Sequence, residues 1–269
     1  MKNIKVIYHK NCADGFAAAL SAWIKFKDNA EYIPCQYGDK PPDVTNKEVY
    51  ILDFSFKRDV LISMNNFAKS LIVLDHHKTA EDDLKGLDFA KFDMEKSGAV
   101  LSWEYFHKGN VPEFFLLIQD RDLWKWKRAG SKEISAALQM EPMIFENWHR
   151  FLDMDNLYEL EVKGKIILEY QQYIVDKISR SDDLEMQTID GHLVPCINTT
   201  SLISEIGNEL SKNYPFSASY FETKDKRVYS LRSSENGIDV SIIAKKFGGG
   251  GHFHAAGFSI QKPEINLIQ

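Results

Sequence analysis

The strongest constraint on this chain is a rhythm in its first half. Short apolar runs that read as strands alternate with stretches whose apolar residues recur at helical spacing. IKVIYH (4–9), EYIPCQY, EVYILDF (48–54) and SLIVLD (70–75) are the strands, and DGFAAALSAWIKF (14–26) and KRDVLISMNNFAK are helices between them. Strands alternating with helices imply a parallel sheet covered by helices on its faces. SGAVLSWEYFHKG and PEFFLLIQDRDLW read as further helices, and residues 131–180 as helical text ending in one long helix over 157–180. The pattern then changes. LEMQTIDGHLVPCIN reads as a hairpin turning at Asp190-Gly191, SLISEIGNELSKN as a helix, FSASYFETKDKRVYSLRSS as a second hairpin turning near residues 224–226, and DVSIIAKKF as a short helix before GGGGHFHAAGF. The expected fold class is α/β: an N-terminal parallel-sheet domain over 1–155, a helical linker over 156–182 and a smaller C-terminal α+β domain over 183–269.

The bulk properties agree with two ordinary globular domains. A length of 269 residues fits about two domains at roughly 150 residues each. An apolar content of 44% and a charged content of 27% are those of a water-soluble protein. No apolar run approaches the ~18 residues that a membrane span needs. The opening MKNIKVIYHKNCADG has no signal-peptide pattern, so a cytoplasmic location and no membrane partner are expected. Cys12, Cys35 and Cys196 are scattered and form no CxxC pair, which argues against a disulfide framework or a structural zinc site. The net charge of −6, with Lys and Arg spread along the chain, argues against a protein that tracks long duplex DNA. A small anionic substrate is still compatible, because local cations can reverse the field inside a site.

The strand ends carry the chemistry. In open parallel sheets, ligands bind beyond the carboxyl ends of the strands. The first strand ends at His9, with Asp14 following; EVYILDF places Asp53 at its end; SLIVLD runs into Asp75, His76 and His77. Asp120 follows the apolar run FFLLIQ. Carboxylates gathered at one place repel one another and rise in pKa, and a divalent cation removes that penalty. Mixed His and carboxylate donors suit Mn²⁺, Fe²⁺, Co²⁺ or Zn²⁺. One aspartate bridging two ions ~3.5–4 Å apart is the arrangement used for phosphoryl transfer to water. In the last domain, the glycines at 248–251 before His252 would let backbone N–H groups approach an anion. Arg232, at the end of YSLRSS, offers a bidentate grip on phosphate.

Asp75-His76-His77 after an apolar strand, HKNCADGFAAA upstream and GGGGHFHAAGF near the C-terminus together resemble the DHH phosphoesterase superfamily, over nearly the whole chain. The resemblance implies a DHH domain followed by its associated C-terminal domain, and a two-metal site, usually Mn²⁺, with Mg²⁺ or Co²⁺ as substitutes. It implies His9, Asp14, Asp53, His76 and Asp120 as metal ligands, with Asp53 bridging. Asp75 would orient the ligands and His77 would lie close to the scissile phosphate, both counted as catalytic. Gly249, Gly250, Gly251, His252 and Arg232 would bind the substrate's far phosphate or base; Ser233 and His254 are weaker members of that set. Many members carry His-x-x-x-Asp-x-Asp in the first motif, whereas this chain has His9-Lys10-Asn11-Cys12-Ala13-Asp14, so Asn11 or Cys12 falls near the absent carboxylate. Asp122 lies two residues past Asp120 and faces a different way on a helix. Asp120 is preferred as the ligand because it comes first after the apolar run. Trp124 and Trp126 are expected in the core, with base stacking as the alternative. The function expected is metal-dependent hydrolysis of short single-stranded oligonucleotides or dinucleotides from an end. The alternatives are a polyphosphatase or pyrophosphatase, a cyclic-dinucleotide phosphodiesterase, or a non-catalytic nucleotide sensor. A homodimer is compatible with all of them.

Overall fold

A computed structural model describes residues 2–262 of the chain, and the final stretch of the expected C-terminal domain, 263–269, lies outside the described residues. The chain divides into two compact units, residues 1–168 and 169–269.

The first unit is built on strands β1 (Ile4–His9), β2 (Ala30–Cys35), β3 (Glu48–Leu52), β4 (Ser70–Asp75) and β5 (Ala90–Phe92). They form one sheet in the order β2-β1-β3-β4-β5, and every pairing is parallel. The central strands β1, β3 and β4 have residues buried on both faces, which is why they read as continuous apolar runs. Helices α1 (Ala13–Phe26) and α4 (Gly98–Phe106) cover one face, and α5 (Glu113–Asp122) packs on those two helices. There Val6, Leu52 and Leu74 pack with Ala18, Ala22 and Phe106. Helices α2 (Arg58–Phe67) and α3 (Lys78–Leu84) cover the other, where Ile7, Ile51 and Val73 meet Leu61, Met64 and Leu84. The alternation within each strand sends neighbours to opposite faces, so both layers are specified by the same short strand sequences.

Beyond the first helical layer, α6 (Ser131–Leu138), α7 (Phe145–His149) and α8 (Met154–Ser179) complete the unit. Trp148 is wholly buried, with the Phe16 ring edge-on at 4.9 Å, and Phe16 stacks on Phe145 at 4.8 Å. Burial of aromatic side chains of this kind stabilises by roughly 1.5–3 kcal/mol each. Leu157 and Leu160 of α8 belong to the same cluster. The division between units falls inside α8, and residues 156–179 of the stretch expected as a helical linker over 156–182 lie in that one helix, which gives side chains to the cores of both units. Its second half supplies Val175 to a cluster with Ile197, Ile206 and Leu210.

The second unit contains β6 (Glu185–Ile189), β7 (His192–Asn198), α9 (Ile203–Ser211), β8 (Ser217–Glu222), β9 (Lys226–Arg232), α10 (Val240–Lys246), β10 (Gly250–His252) and β11 (Ala255–Gln261). The sheet order is β10-β11-β9-β8-β7-β6, antiparallel except for the β7–β8 pair. The β6–β7 turn uses Asp190 at φ 50° and Gly191 at φ 81°, the left-handed pair that a tight hairpin demands. Among the described residues no helix is long and apolar enough to cross a membrane.

Candidate metal centre and its surroundings

The sheet order of the first unit fixes where a site can form. From β1 the chain moves outward to β2, then returns to place β3 on the other side of β1. The crevice at such a switch point opens beyond the carboxyl ends of the two central strands. His9 is the last residue of β1 and Asp53 directly follows β3. Asp53 has a left-handed backbone, φ 54°, which is sterically unfavourable for a non-glycine residue though less so for Asp. Its N–H is anchored on the Leu74 carbonyl at 2.9 Å. Gly98 packs directly against the Asp53 Cβ, so any side chain at position 98 would push it out of place.

Two trios of side chains converge there: His9, Asp53 and His77, and Asp14, Asp53 and His76, with the ligating atoms of each trio within 4.8 Å of one another. Asp53 is common to both. His76 Nε2 lies 3.1 Å from Asp53 Oδ1, 3.7 Å from Asp14 Oδ2 and 3.4 Å from Asp122 Oδ2. Asp14 is clamped by the N-terminus of α4, whose Gly98 and Ala99 N–H groups donate to its carboxylate at 2.6 and 3.0 Å. A helix N-terminus is a favourable seat for such a charge. Asp75 is fully buried. Its Oδ1 accepts from the His76 and His77 N–H groups and sits 2.7 Å from His77 Nδ1. His77 Nε2 is left as the ring's remaining polar atom.

The electrostatics show carboxylates short of positive charge. Burial, then the charges of Asp53 and Asp122, push the Asp14 carboxyl well above its usual range. Burial and Asp53 raise Asp122 as well. Burial would also raise Asp53, but the His76 and His9 imidazoles outweigh it and hold that carboxyl below the ordinary range. Hydrogen bonding to Asp75 pushes His77 up to about 9. His9 Nδ1 and Asp53 Oδ2, 3.5 Å apart, are both buried and have no hydrogen-bond partner, and Asp75 Oδ2 is likewise unpartnered. Leaving a buried polar atom unsatisfied costs about 1–3 kcal/mol. Orphaned acceptors among crowded carboxylates, with imidazoles as the other donors, fit a borderline divalent cation.

Asp120 is absent from this group. Its buried carboxylate accepts from the N–H groups of Lys127 and Arg128, each at 3.0 Å, and from Ser131 Oγ at 2.6 Å. Contrary to the expectation for Asp120, its carboxylate is engaged away from the cluster, because the chain folds back over the end of α5 and uses it to hold the turn; the carboxylate that approaches His76, at 3.4 Å, is that of Asp122. Helical periodicity contained the signal: Asp122 is four residues past Ile118 and seven past Phe115, both buried on the side of α1. Cys12 enters neither trio; it lines, with Asn11, the cavity beside Asp14 and Asp122. Burial, then Asp53 and Asp14, push the Cys12 thiol up to about 12. Tyr37, which the sequence did not single out, is 56% exposed and packs at 5.9 Å from His9 and 6.3 Å from His77. Trp124, expected in the core, is also 56% exposed. A cavity of about 450 Å³ adjoins the cluster, lined among others by Cys12, Asp14, Arg121, Asp122, Gln139 and Trp148.

In the second unit, Arg232, Ala255 and His252 stand opposite one another across β9, β11 and β10. Ser233 Oγ lies 3.1 Å from His254 Nδ1. Arg232 is half-buried; one guanidinium nitrogen donates to the Leu231 carbonyl and another to Ser204 Oγ at 3.0 Å. The glycine stretch is not an open loop. Gly248, at φ 76°, ends α10, and Gly250 and Gly251 lie in the edge strand β10. Side chains at 249 or 251 would strike the backbone of β11, whereas position 250 opens to free space.

A parallel sheet with an Asp/His cluster at its switch point, followed by a smaller unit with a mixed sheet and a glycine edge strand, defines a two-domain α/β protein of the kind expected from the motifs. Residues 197–268 match the DHHA1 domain family. The chain is 35% identical to the uncharacterized protein R106 of Acanthamoeba polyphaga mimivirus, over 94% of this chain and 66% of that one. It is 25% identical to the oligoribonuclease NrnB of Bacillus subtilis, over 97% of this chain and 74% of that one. It thus spans a little under two thirds of the first relative and about three quarters of the second. In fold it is similar to the pGpG-specific phosphodiesterase PggH from Vibrio cholerae, with a TM-score of 0.59 at 14% identity over 96% of this chain and 93% of that one. RecJ from Thermus thermophilus, solved in complex with Mn²⁺, aligns with a TM-score of 0.53 at 13% identity over 96% of this chain and 49% of that one. The DHHA1 match over residues 197–268 and the similarity to NrnB accord with the resemblance of the motifs to the DHH phosphoesterases.

Proposed function

We propose that this protein is a divalent-metal-dependent phosphodiesterase that hydrolyses short oligonucleotides or dinucleotides. The observation that carries this reading is Asp53, one buried carboxylate common to two clusters of His and Asp donors. The relation to an oligoribonuclease over 97% of the chain supports the substrate class. His9 and Asp53 are the donors available at one position, beside His77, which is kept for the leaving group, and Asp14, Asp53, His76 and Asp122 are those available at the other. Mn²⁺ is the ion we favour, given the mixed imidazole and carboxylate donors. A bound pair of such ions supplies Lewis-acid polarisation of phosphoryl oxygens and a nucleophilic water near neutral pH.

The chain's own residues do the rest. The Gly98 and Ala99 N–H groups hold the Asp14 carboxylate in one orientation. Asp75 fixes the His77 ring through Nδ1 and favours its protonated form, so that Nε2 carries a proton toward the leaving oxygen at neutral pH. In the second unit, Arg232 and His252 stand in line across Ala255, and position 250, two residues along the same edge strand, is open; this surface is suited to a phosphate or a base.

The test is a matrix of Mn²⁺, Mg²⁺, Co²⁺ and Zn²⁺ against RNA and DNA of two to about ten residues, cyclic dinucleotides, pyrophosphate and polyphosphate. Mononucleotide release from the shortest linear substrates, dependent on the added ion, is expected. Hydrolysis of pyrophosphate or polyphosphate with none of any nucleotide would overturn the substrate class.

A further inference from the structure

We infer that the indole face of Trp124 is a stacking platform for a nucleobase of the substrate. This rests on the reading of the site as one for oligonucleotides or dinucleotides, and extends it to a residue outside the metal-binding set.

Trp124 combines features that packing alone does not explain. It is 56% exposed, the most exposed of the tryptophans. It sits at φ 53°, and Trp126 at φ 51°, left-handed backbone that is strongly unfavourable for bulky aromatic residues. Strain of this kind persists only where the surroundings impose it. Here they do. The buried Asp120 carboxylate gathers Lys127, Arg128 and Ser131, and its backbone carbonyl accepts from Lys125 N–H at 2.9 Å and Trp126 N–H at 3.4 Å. An internal staple thus holds an indole out in water.

The position of that indole gives it a ligand. It comes two residues after Asp122, whose carboxylate is 3.4 Å from His76 in the cluster. The Arg121 guanidinium lies 4.7 Å from the Trp124 ring centroid and 5.5 Å from that of Trp126, and the two indoles meet edge-on at 5.1 Å. Trp126 braces the platform from one side. Arg121 also lines the cavity that contains Asp14 and Asp122, so it spans from the platform to the metal-binding residues. A cation beside an exposed aromatic face, next to a centre for phosphoryl transfer, matches a nucleotide: the base stacks and the phosphate meets the charge. Pyrophosphate and polyphosphate have no group that would use the ring.

The experiment follows tryptophan fluorescence in the metal-free protein on titration with a linear dinucleotide, with pyrophosphate as the baseless control. Steady-state kinetics with Mn²⁺ run in parallel. The variants are Trp124→Phe and Trp124→Gly. Glycine accepts the left-handed backbone, so the ring is removed without adding strain. The dinucleotide should quench the wild-type emission. Trp124→Gly should lose most of that quenching, bind about 5- to 150-fold more weakly and show a KM raised by a similar factor with little change in kcat. Trp124→Phe should stay within a few-fold of wild type, and pyrophosphate binding should be unchanged throughout. Trp124→Gly binding the dinucleotide as tightly as wild type would overturn the inference, and a lowered melting temperature with unchanged affinity would assign the ring to packing. If dinucleotide binding depends on Trp124 but nothing is hydrolysed under any ion, the platform stands and the enzymatic reading falls. If dinucleotides are hydrolysed equally well by all variants, only the platform falls.

Discussion

The strand-end cluster of the first unit and the glycine strand of the second solve different physical problems. Around Asp53 the chain buries polar atoms and leaves some without partners, as at His9 Nδ1 and Asp53 Oδ2. Around Gly250 it does the reverse, removing side chains so that backbones can meet: positions 249 and 251 have no room for a Cβ against β11. The first region stores an electrostatic demand for a cation, and the second satisfies a steric demand of its own sheet. An invitation to a ligand is therefore legible in orphaned atoms at the first site, whereas at the second most of the glycine content is accounted for by packing and only position 250 is open.

The sharpest way to break this contrast is at Asp53. Asp53→Asn keeps a residue that tolerates the left-handed backbone while removing the shared charge. Activity should fall by about 10³-fold or more, the upper range for loss of one electrostatic stabiliser, and calorimetry should show Mn²⁺ binding lost. The two aspartates at the end of α5 give the next largest effect. Asp122→Asn should lower activity by roughly 10²-fold with the melting temperature nearly unchanged. Asp120→Asn should lose about 2–3 kcal/mol in urea unfolding, since it abandons charge-assisted hydrogen bonds to Lys127, Arg128 and Ser131. The opposite ranking would return the metal-binding role to Asp120.

In the second unit, Gly251→Ala should cost about 1–3 kcal/mol through overpacking, because a Cβ there meets the Ala255 carbonyl and the Ala256 Cα at 2.5 Å. If stability were unaffected while substrate affinity collapsed, the steric account of this strand would be wrong. The smallest effect concerns His77. Its pKa is pushed up to about 9 by Asp75, above the ordinary 6.5. Its contribution to the metal-free fold is therefore fully present below about pH 6.5 and is lost as pH rises through about 9. Histidine NMR titration should show this high value, and Asp75→Asn should bring it back toward the ordinary range.

Much of the first unit was readable because its central strands have buried residues on two faces, so apolar runs and helical periodicity carried the information. SLIVLD maps onto β4 residue for residue. The parts that were not readable depend on how the chain returns on itself. Asp120 became a staple because residues 127–131 fold over it, a tertiary event with no local signature. The glycine stretch did not announce a strand, because an edge strand of three residues has no side-chain alternation to show. Trp124 resisted a hydrophobicity argument for the opposite reason: its environment is set by a strained turn rather than by its own preference for burial.

The division of the chain inside α8 has a practical corollary for protein engineering. Leu157 and Leu160 are buried in the first unit's core, and Gly164 lies against the backbone of Glu133, while Val175 is buried with Ile197 and Ile206 of the second. A fragment cut at residue 155 would discard apolar plugs that the first unit needs, and one beginning at 183 would leave the other half uncapped. Separate expression of either half should therefore begin or end near residue 168 rather than at the ends of the helix.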